Sequence, residues 1–413
     1  MKLWIVSVGE PLPVDGENTR LRRMGNLAKY ASQQGHMVEW FSVSFDHYKK
    51  VQRCSGNTDY QINDNFILHL VDSIPYKKNI SFARIKHHKQ AGKAIFNRMQ
   101  ELEQPDVIIA SMEPLEISQA AVKYAKEKNI PCIVDVRDLW PEIYYDVIPR
   151  YLHWALNFYV KKCAKTLNYT MANCDSIVGL SNGFLEYGLK YAKRSRNEND
   201  AVYPIAYPNN NYEEYVSQLG KYWGSFGIEE GDFLVIFLGN FGDQFKFEEI
   251  ISSAKHFEKE KRIKFVLCGN GKHEEEVRNS VGPNVVIPGW IEKEQIFSLM
   301  ANSSIGIAPY IDSMNYRLNT PNKFGEYLSA GLPIAVAVGG EMEKLLNEYN
   351  CGDVYRTSDE LIKLIEKYYS DGSLLKAHSA NAKALYNKMF NADFANEKLL
   401  NHIVKISQLK EEK

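Results

Sequence analysis

Short apolar, β-branched runs alternate with stretches of helical periodicity along almost the whole chain. In the first half the strand candidates are residues 3–8 (LWIVSV), 37–43 (MVEWFSV), 66–71 (FILHLV), 106–111 (DVIIAS), 131–136 (PCIVDV) and 176–181 (SIVGLS). Helical patterns fill 20–34, 80–102 and 115–128, and Gly35 suits the stop of the first. A second series opens near residue 233, with FLVIFLG (233–239), IKFVLCG (263–269), NVVIP (284–288), IGIAPY (305–310) and PIAVAV (333–338), each leading into a helical pattern. This alternation predicts an α/β protein with parallel sheets, whose strand carboxyl ends frame a ligand crevice. Residues 194–213 are polar and carry Pro204, Pro208 and three consecutive Asn, the marks of a linker. The expected architecture is two Rossmann-like domains facing across a cleft, over 1–205 and 206–388. A helical tail, 389–413, would pack back on the first.

Composition narrows the class. A length of 413 residues allows two or three domains, and 45% apolar with 24% charged residues is ordinary for a globular protein. The six cysteines form no CxxC pair, which argues against a zinc site or a disulfide scaffold. The apolar opening Leu3–Val6 is too short for a signal peptide and reads as a first strand. Nowhere are there 18 consecutive apolar residues to span a membrane, so a cytoplasmic setting is expected.

The net charge of −1 hides a split: residues 1–200 carry 27 Lys+Arg against 22 Asp+Glu, and the rest 23 against 29. Two acid-free runs account for much of it. Ser73–Gln100 holds Lys77, Lys78, Arg84, Lys86, Lys89, Lys93 and Arg98; Val147–Cys174 is rich in Trp, Tyr, Phe and Leu. Basic helices with aromatic faces predict peripheral docking on an anionic membrane surface, unless the aromatic face packs in the core. The aromatics do not interleave as in an RNA-binding module, so nucleic acid is not the expected partner.

Candidate chemistry concentrates in Asn319-Thr320-Pro321-Asn322-Lys323-Phe324-Gly325-Glu326. Thr320 suits the N-cap of a helix, Pro321 its first position and Gly331 its stop. Lys323 then falls in the first turn, where a cation opposes the helix dipole; an anion bound there would explain it, as would a side chain pointing into water. Glu326, one turn on, suits ribose hydroxyls or an ion pair with Lys323. Gly239-Asn240-Phe241-Gly242 and Gly269-Asn270-Gly271-Lys272 each follow a strand, and their backbone could approach phosphates. Neither is a Walker loop or a GxGxxG fingerprint.

PNKFGEYLSAGLPIAVAVGGEMEKLLNEYNCGDVY (321–355), with its spacing from GNGKHEEEV (269–277) and PGWIEKEQIFSLMANSSIGIAPY (288–310), resembles the nucleotide-binding core of family 4 retaining glycosyltransferases, which have the GT-B fold. Residues 6–43 resemble that family's opening loop and first helix, and DVRDLWPE (135–142) resembles a loop of its bacterial surface-polysaccharide branch. The resemblance implies metal-independent transfer of a hexosyl or N-acetylhexosaminyl group from a UDP-sugar, with no cofactor. With the positive first half it points to a polyprenyl-diphosphate-linked saccharide as acceptor, the alternatives being a soluble acceptor or a non-catalytic nucleotide-sugar-binding subunit. It implies that Glu326 holds the ribose, that Lys323 and the Gly239–Gly242 loop hold the diphosphate with Lys246 as a second basic ligand, and that backbone at Trp290 and Ile291 meets the base. The family's second glutamate, eight residues before Glu326, is replaced by Leu318. The donor sugar would then be held by Asn319 or main-chain groups of 313–320, beside Thr320, Pro321 and Asn322.

On the acceptor side, Gly16-Glu17-Asn18-Thr19 precedes Arg20 at a predicted helix start and suits a phosphate or sugar, with Arg22 and Arg23 as surface charges. Asp138 and Glu142 lie just past a strand's carboxyl end, where Asp138 could bind or deprotonate the acceptor. His36 reads as structural, and His87 and His88 lack a matched metal set.

Overall fold

The computed structural model describes residues 1–17 and 19–410. The chain forms two compact units: residues 1–204 with the chain from Ala395 onward, and Ile205–Phe394. The tail thus leaves the second unit six residues later than its polar pattern suggests. Tyr207 N–H donates to Phe390 O at 2.8 Å and Tyr386 O–H to Tyr207 O at 2.9 Å, so 386–390 are held in the second unit's core.

The first unit is built on eight strands: β1 (Lys2–Val6), β2 (Met37–Val43), β3 (Thr58–Asn63), β4 (Phe66–Val71), β5 (Val107–Ser111), β6 (Cys132–Val136), β7 (Ser176–Gly179) and β8 (Ala201–Val202). Their order is β3-β4-β2-β1-β5-β6-β7-β8, parallel except for the β3–β4 hairpin. Both β3 (TDYQIN) and the two-residue β8 escape the apolar pattern, because an edge strand with one wet face contains no apolar run. Leu3, Ile5, Leu27, Val38 and Trp40 pack in one core with Leu399, Leu400, Ile403 and Ile406 of the last helix, Ala392–Ser407. His402 Nε2 lies 2.9 Å from Ser176 Oγ, and Lys405 Nζ donates to Glu198 O at 2.9 Å, fixing that helix on the unit.

The second unit carries six parallel strands: β9 (Phe233–Leu238), β10 (Ile263–Cys268), β11 (Val285–Gly289), β12 (Ile305–Ala308), β13 (Ile334–Val336) and β14 (Gly352–Val354). Their order is β11-β10-β9-β12-β13-β14. In each sheet the order reverses at its first strand, β1 or β9, and the crevice beyond the carboxyl end of such a strand is the natural ligand position. Among the described residues no helix is long and apolar enough to cross a membrane.

Ile403 is fully buried. Ile403→Ala should cost the first unit about 2–5 kcal/mol, read as a shift in its urea unfolding transition; a loss below about 1 kcal/mol would mean the tail is dispensable to that core.

Candidate functional site

At the carboxyl end of β9 the second unit holds a buried cation. The helix Asn322–Ser329, between β12 and β13, delivers Lys323, which is only 9% exposed. Its Nζ lies 4.8 Å from the Phe237 ring centroid and 5.2 Å from that of Phe245. Those rings belong to a cluster with Phe241 and Phe247, so the ammonium rests on an aromatic floor. A Cβ at Gly239 would collide with Nζ, and a glycine there is what admits the lysine. Burial pushes the ammonium down to about 8, against the opposing pull of Glu326 and Cys268. Among the described residues no carboxylate lies within 4 Å of it, so the Lys323–Glu326 ion pair does not form.

The polar groups around this helix end are also unsatisfied. Pro321 is the capping residue, no side chain caps the first turn, and that turn contains no acid. Thr320 stands one position outside the cap it was expected to form. Thr320 Oγ1 and Asn319 Oδ1 are buried without a hydrogen-bond partner. Backbone N–H groups, a dipole and a desolvated ammonium at one helix end are suited to a multiply charged anion. Tyr327 anchors the arrangement: its hydroxyl donates to Ile307 O at 3.2 Å and accepts from Leu238 N at 3.0 Å, tying the helix to β12 and β9. Glu326 is half-buried, and its Oε1 accepts from Tyr207 O–H at 2.8 Å. Tyr207 sits in the segment read as a linker, where no periodicity marks it.

Part of the glycine-loop backbone is engaged within the protein. Gly239 N–H donates to Cys268 O at 2.9 Å, Phe241 N–H to Asn270 O at 3.0 Å and His273 N–H to Phe241 O at 2.9 Å. The two loops are zipped to each other, and a Cβ at Gly269 or Gly271 would strike the backbone of Gly239 or Phe241. The amides of Gly239 and Phe241 are therefore not available to a phosphate, and the Phe241 ring is core. Gly242 is followed by a helix only at Glu248, so this loop is not a helix N-terminus. Asn240, Asn270, Asn322 and Lys246 are exposed; Asn240 Oδ1 accepts from Gln244 Nε2 at 2.7 Å, and Lys246 N–H donates to Pro309 O at 2.8 Å. Trp290 is 75% exposed beside buried Ile291, on the turn after edge strand β11. Leu318 ends the short helix Met314–Leu318.

In the first unit the reversal point at β1 is occupied by a charge network that sequence reading found only in part. Arg23 chelates Asp135, Nε to Oδ2 and Nη2 to Oδ1, both at 2.9 Å. Arg137 Nη1 binds Glu10 Oε1, and its Nε lies 4.0 Å from Glu113 Oε2 and 3.9 Å from Asp135 Oδ2. Asp138 N–H donates to Glu113 Oε1 at 3.1 Å. Three carboxylates thus share two guanidiniums, with the Asp138 charge close enough to act on Glu113. Burial, then the Asp138 charge, raise the Glu113 carboxyl to about 8, against the pull of Arg137.

Several acceptor-side expectations change accordingly. Arg23, not Arg20, is the buried arginine; Arg20, Gly16 and Glu17 are exposed, and Asn18 lies outside the described residues. The first helix starts at Arg23, seven residues after Gly16, and Glu10 Oε2 accepts from its Met24 N–H at 3.1 Å. A carboxylate of the protein already occupies that helix end. Glu142 is bound by the hydroxyls of Tyr187 and Tyr191, which makes it a structural anchor rather than a free acceptor ligand. The signal missed was Arg137 itself, which stands inside the DVRDLWPE block beside Asp138.

Comparison with known proteins gives this geometry a context. Residues 232–371 match the family model described as Glycosyl transferases group 1, so the second unit contains a group 1 glycosyltransferase domain. No curated protein sequence matches the chain. Among solved structures, sucrose-phosphate synthase from Thermosynechococcus elongatus aligns over 97% of both chains at 12% identity, with a TM-score of 0.70. Anabaena HepE in complex with UDP-glucose aligns over 98% of this chain and 100% of its own, at 12% identity and a TM-score of 0.65. WaaG, a glycosyltransferase involved in lipopolysaccharide biosynthesis, aligns over 98% and 99%, at 16% identity and 0.63. The fold is accordingly of the GT-B type, α/β with two parallel-sheet domains.

The raised Glu113 carboxyl has a consequence for stability. The unfolded chain releases this proton near pH 4.5 and the folded chain near 8, so the contribution is present below pH 4.5 and is lost as pH rises through 8. Glu113→Gln should flatten the decline in unfolding free energy between pH 5 and 8, measured by denaturant titration at several pH values; an unchanged slope would contradict the assignment.

Proposed function

We propose that the protein is a metal-independent, retaining glycosyltransferase that transfers a sugar from a UDP-linked donor to a polyprenyl-diphosphate-linked saccharide during bacterial surface-polysaccharide synthesis. The observation that carries this reading is the Lys323 ammonium, buried without a carboxylate at an uncapped helix end. A diphosphate would supply the missing counter-charge, and Asn319 and Thr320 would supply hydrogen bonds to the donor from atoms now unpartnered. Glu326, oriented by Tyr207, would take the ribose hydroxyls. HepE in complex with UDP-glucose supports the donor class, and WaaG's role in lipopolysaccharide biosynthesis supports the setting.

The chemistry asked of these groups is leaving-group stabilisation. As the bond from the anomeric carbon to the β-phosphate oxygen breaks, Lys323 and the helix dipole neutralise the charge developing on the diphosphate. The acceptor oxygen bonds to the same face of that carbon, and its proton passes to the departing phosphate oxygen, so no strong protein base is required.

The acceptor and a peripheral position at the inner membrane face are supported by the first unit's surface. Tyr151, Trp154 and Phe158 are 75%, 66% and 71% exposed. Trp154 and Phe158 are one turn apart on the helix His153–Ala172, and exposed Lys161, Lys162 and Lys165 continue that face. Phe82 is 90% exposed at the head of the basic helix Phe82–Gln100. Apolar rings flanked by lysines suit the interface of an anionic bilayer. Arg98 drops out of the basic set, because it pairs with Asp59 and Glu101.

Lys323→Ala, with folding intact, should weaken UDP binding roughly 10- to 100-fold, the worth of a charge-assisted hydrogen bond, in titration calorimetry; transfer should fall with it. Wild-type affinity should decline as pH rises through 8, because free Lys323 deprotonates near 8 while a bound diphosphate holds the ammonium charged. A pH-independent affinity would remove the diphosphate from Lys323, whereas inactivity of wild type across a panel of UDP-sugars would indicate a nucleotide-sugar-binding subunit. Flotation with anionic vesicles should be salt-sensitive and should be lost in Trp154→Ala/Phe158→Ala; retention by the variant would remove the membrane assignment. An inverted linkage in the product would refute retention.

A further inference from the structure

The first unit holds a second concentration of cations, in the loops that follow β2 and β4 and at the start of the helix Phe82–Gln100. Lys50 Nζ lies over the Tyr76 ring at 4.5 Å from its centroid, and the Arg84 guanidinium approaches the same ring at 5.9 Å. Both touch Asn79: Lys50 Nζ donates to Asn79 Oδ1 at 2.6 Å, and Arg84 Nη1 to Asn79 O at 2.9 Å, while Arg84 Nε donates to His88 Nε2 at 3.3 Å. Arg84 also lies over the Trp140 ring, 5.4 Å from its centroid. His47 Nδ1 meets the Tyr76 hydroxyl and lies 3.5 Å from Lys50 Nζ. The Lys50 ammonium can only donate, so a neutral His47 that accepts it at Nδ1 carries its proton on Nε2, which becomes a further donor.

Like charges are held together here without neutralisation. Among the described residues neither Lys50 nor Arg84 has a carboxylate within 4 Å. Asp46, whose charge does reach Lys50, is already bound by Arg53 at 3.2 Å and by the amides of Tyr48 and Lys49 at 2.7 and 2.9 Å. The mutual repulsion shows on the neighbours: burial first, and then Lys50 and Arg84, depress His47 to about 4. The backbone is strained as well. Lys50 adopts φ of +58°, a left-handed conformation uncommon for a residue with a side chain. A glycine would relax that strain but would remove the ammonium, and strain retained at such a position points to a use for the side chain.

We propose that Lys50, Arg84 and His47 form an anion site for a phosphate or diphosphate group, separate from the Lys323 site. Two cations, an Nε2–H donor and the Asn79 clamp match an oxyanion with several acceptor atoms. If the reading under Proposed function holds, the group is the diphosphate of the lipid-linked acceptor. The site itself stands on the first unit's geometry and does not depend on that reading.

The test uses the full-length protein carrying Lys323→Ala, so that pyrophosphate bound at the donor helix is not counted. Pyrophosphate should still bind this protein in titration calorimetry and shift the His47 imidazole resonances. Lys50→Gly, which suits the left-handed backbone and keeps the fold, and Arg84→Gln should each weaken that binding at least tenfold. Farnesyl diphosphate binding that falls in the same variants, with phosphatidylglycerol vesicle binding unchanged, would identify an acceptor-type diphosphate; the reverse pattern would identify a lipid headgroup phosphate. Pyrophosphate binding equal in the Lys323→Ala protein and in both added variants, or none in any, would overturn the site. Because UDP binding by the Lys323-intact protein is measured separately, failure here is distinguishable from failure of the donor site.

Discussion

A lysine ammonium laid on phenylalanine rings and left without a counter-charge sets the terms for the second unit. Burying such a charge is expensive unless something completes it, and the surrounding structure is arranged to keep the place open rather than to fill it. Gly239 clears the space for Nζ, Tyr327 ties the helix to β9 and β12, and Pro321 leaves the first turn uncapped. The unpartnered oxygens of Asn319 and Thr320 belong to the same unfinished arrangement. Replacing Gly269 or Gly271 would push the loops apart, since a Cβ there strikes the backbone of Gly239 or Phe241, and the Gly239 and Gly269 amides are already bonded to Cys268 O and Gly289 O.

The first unit resolves its charges in the opposite way at β1 and leaves them unresolved one loop further out. Around Arg137 and Arg23 four carboxylates crowd together, and the excess negative charge is relieved by a proton on Glu113. Around Tyr76 two cations crowd together with no acid to relieve them, and the neighbouring imidazole of His47 stays neutral. The same electrostatic rule, that like charges in a low-dielectric setting force a proton off or on, gives the two regions opposite characters. Net charge over a half-chain could not separate them, because Arg98, Arg53 and Arg23 are consumed by carboxylates distant in sequence.

Much of the architecture was legible from local pattern. Eleven apolar runs marked eleven of the fourteen strands among the described residues, and the helix at 322–329 was legible from its Pro and Gly punctuation. The strands that escaped, Thr58–Asn63, Ala201–Val202 and Gly352–Val354, are short or lie on edges, where burial on one face leaves no continuous apolar signal. Of the candidate site, Lys323 and Glu326 were legible because a basic residue in a helix's first turn breaks a local electrostatic rule. Tyr207, Glu10, Glu113 and Arg137 were not, because each acquires its role from a partner more than twenty residues away.

By itself the sequence determined the α/β class, the two-unit division and the helix that carries the lysine, since periodicity and helix punctuation act over a few residues. Only the tertiary structure decided which charges are neutralised. Arg23 became a buried chelator of Asp135 while Arg20 stayed exposed, and Glu142 became an anchor for two tyrosines. It also decided that the glycine loops close on each other and that the Trp154 and Phe158 rings face outward. Charge pairing and burial are properties of distances through space, and spacing along the chain does not encode them.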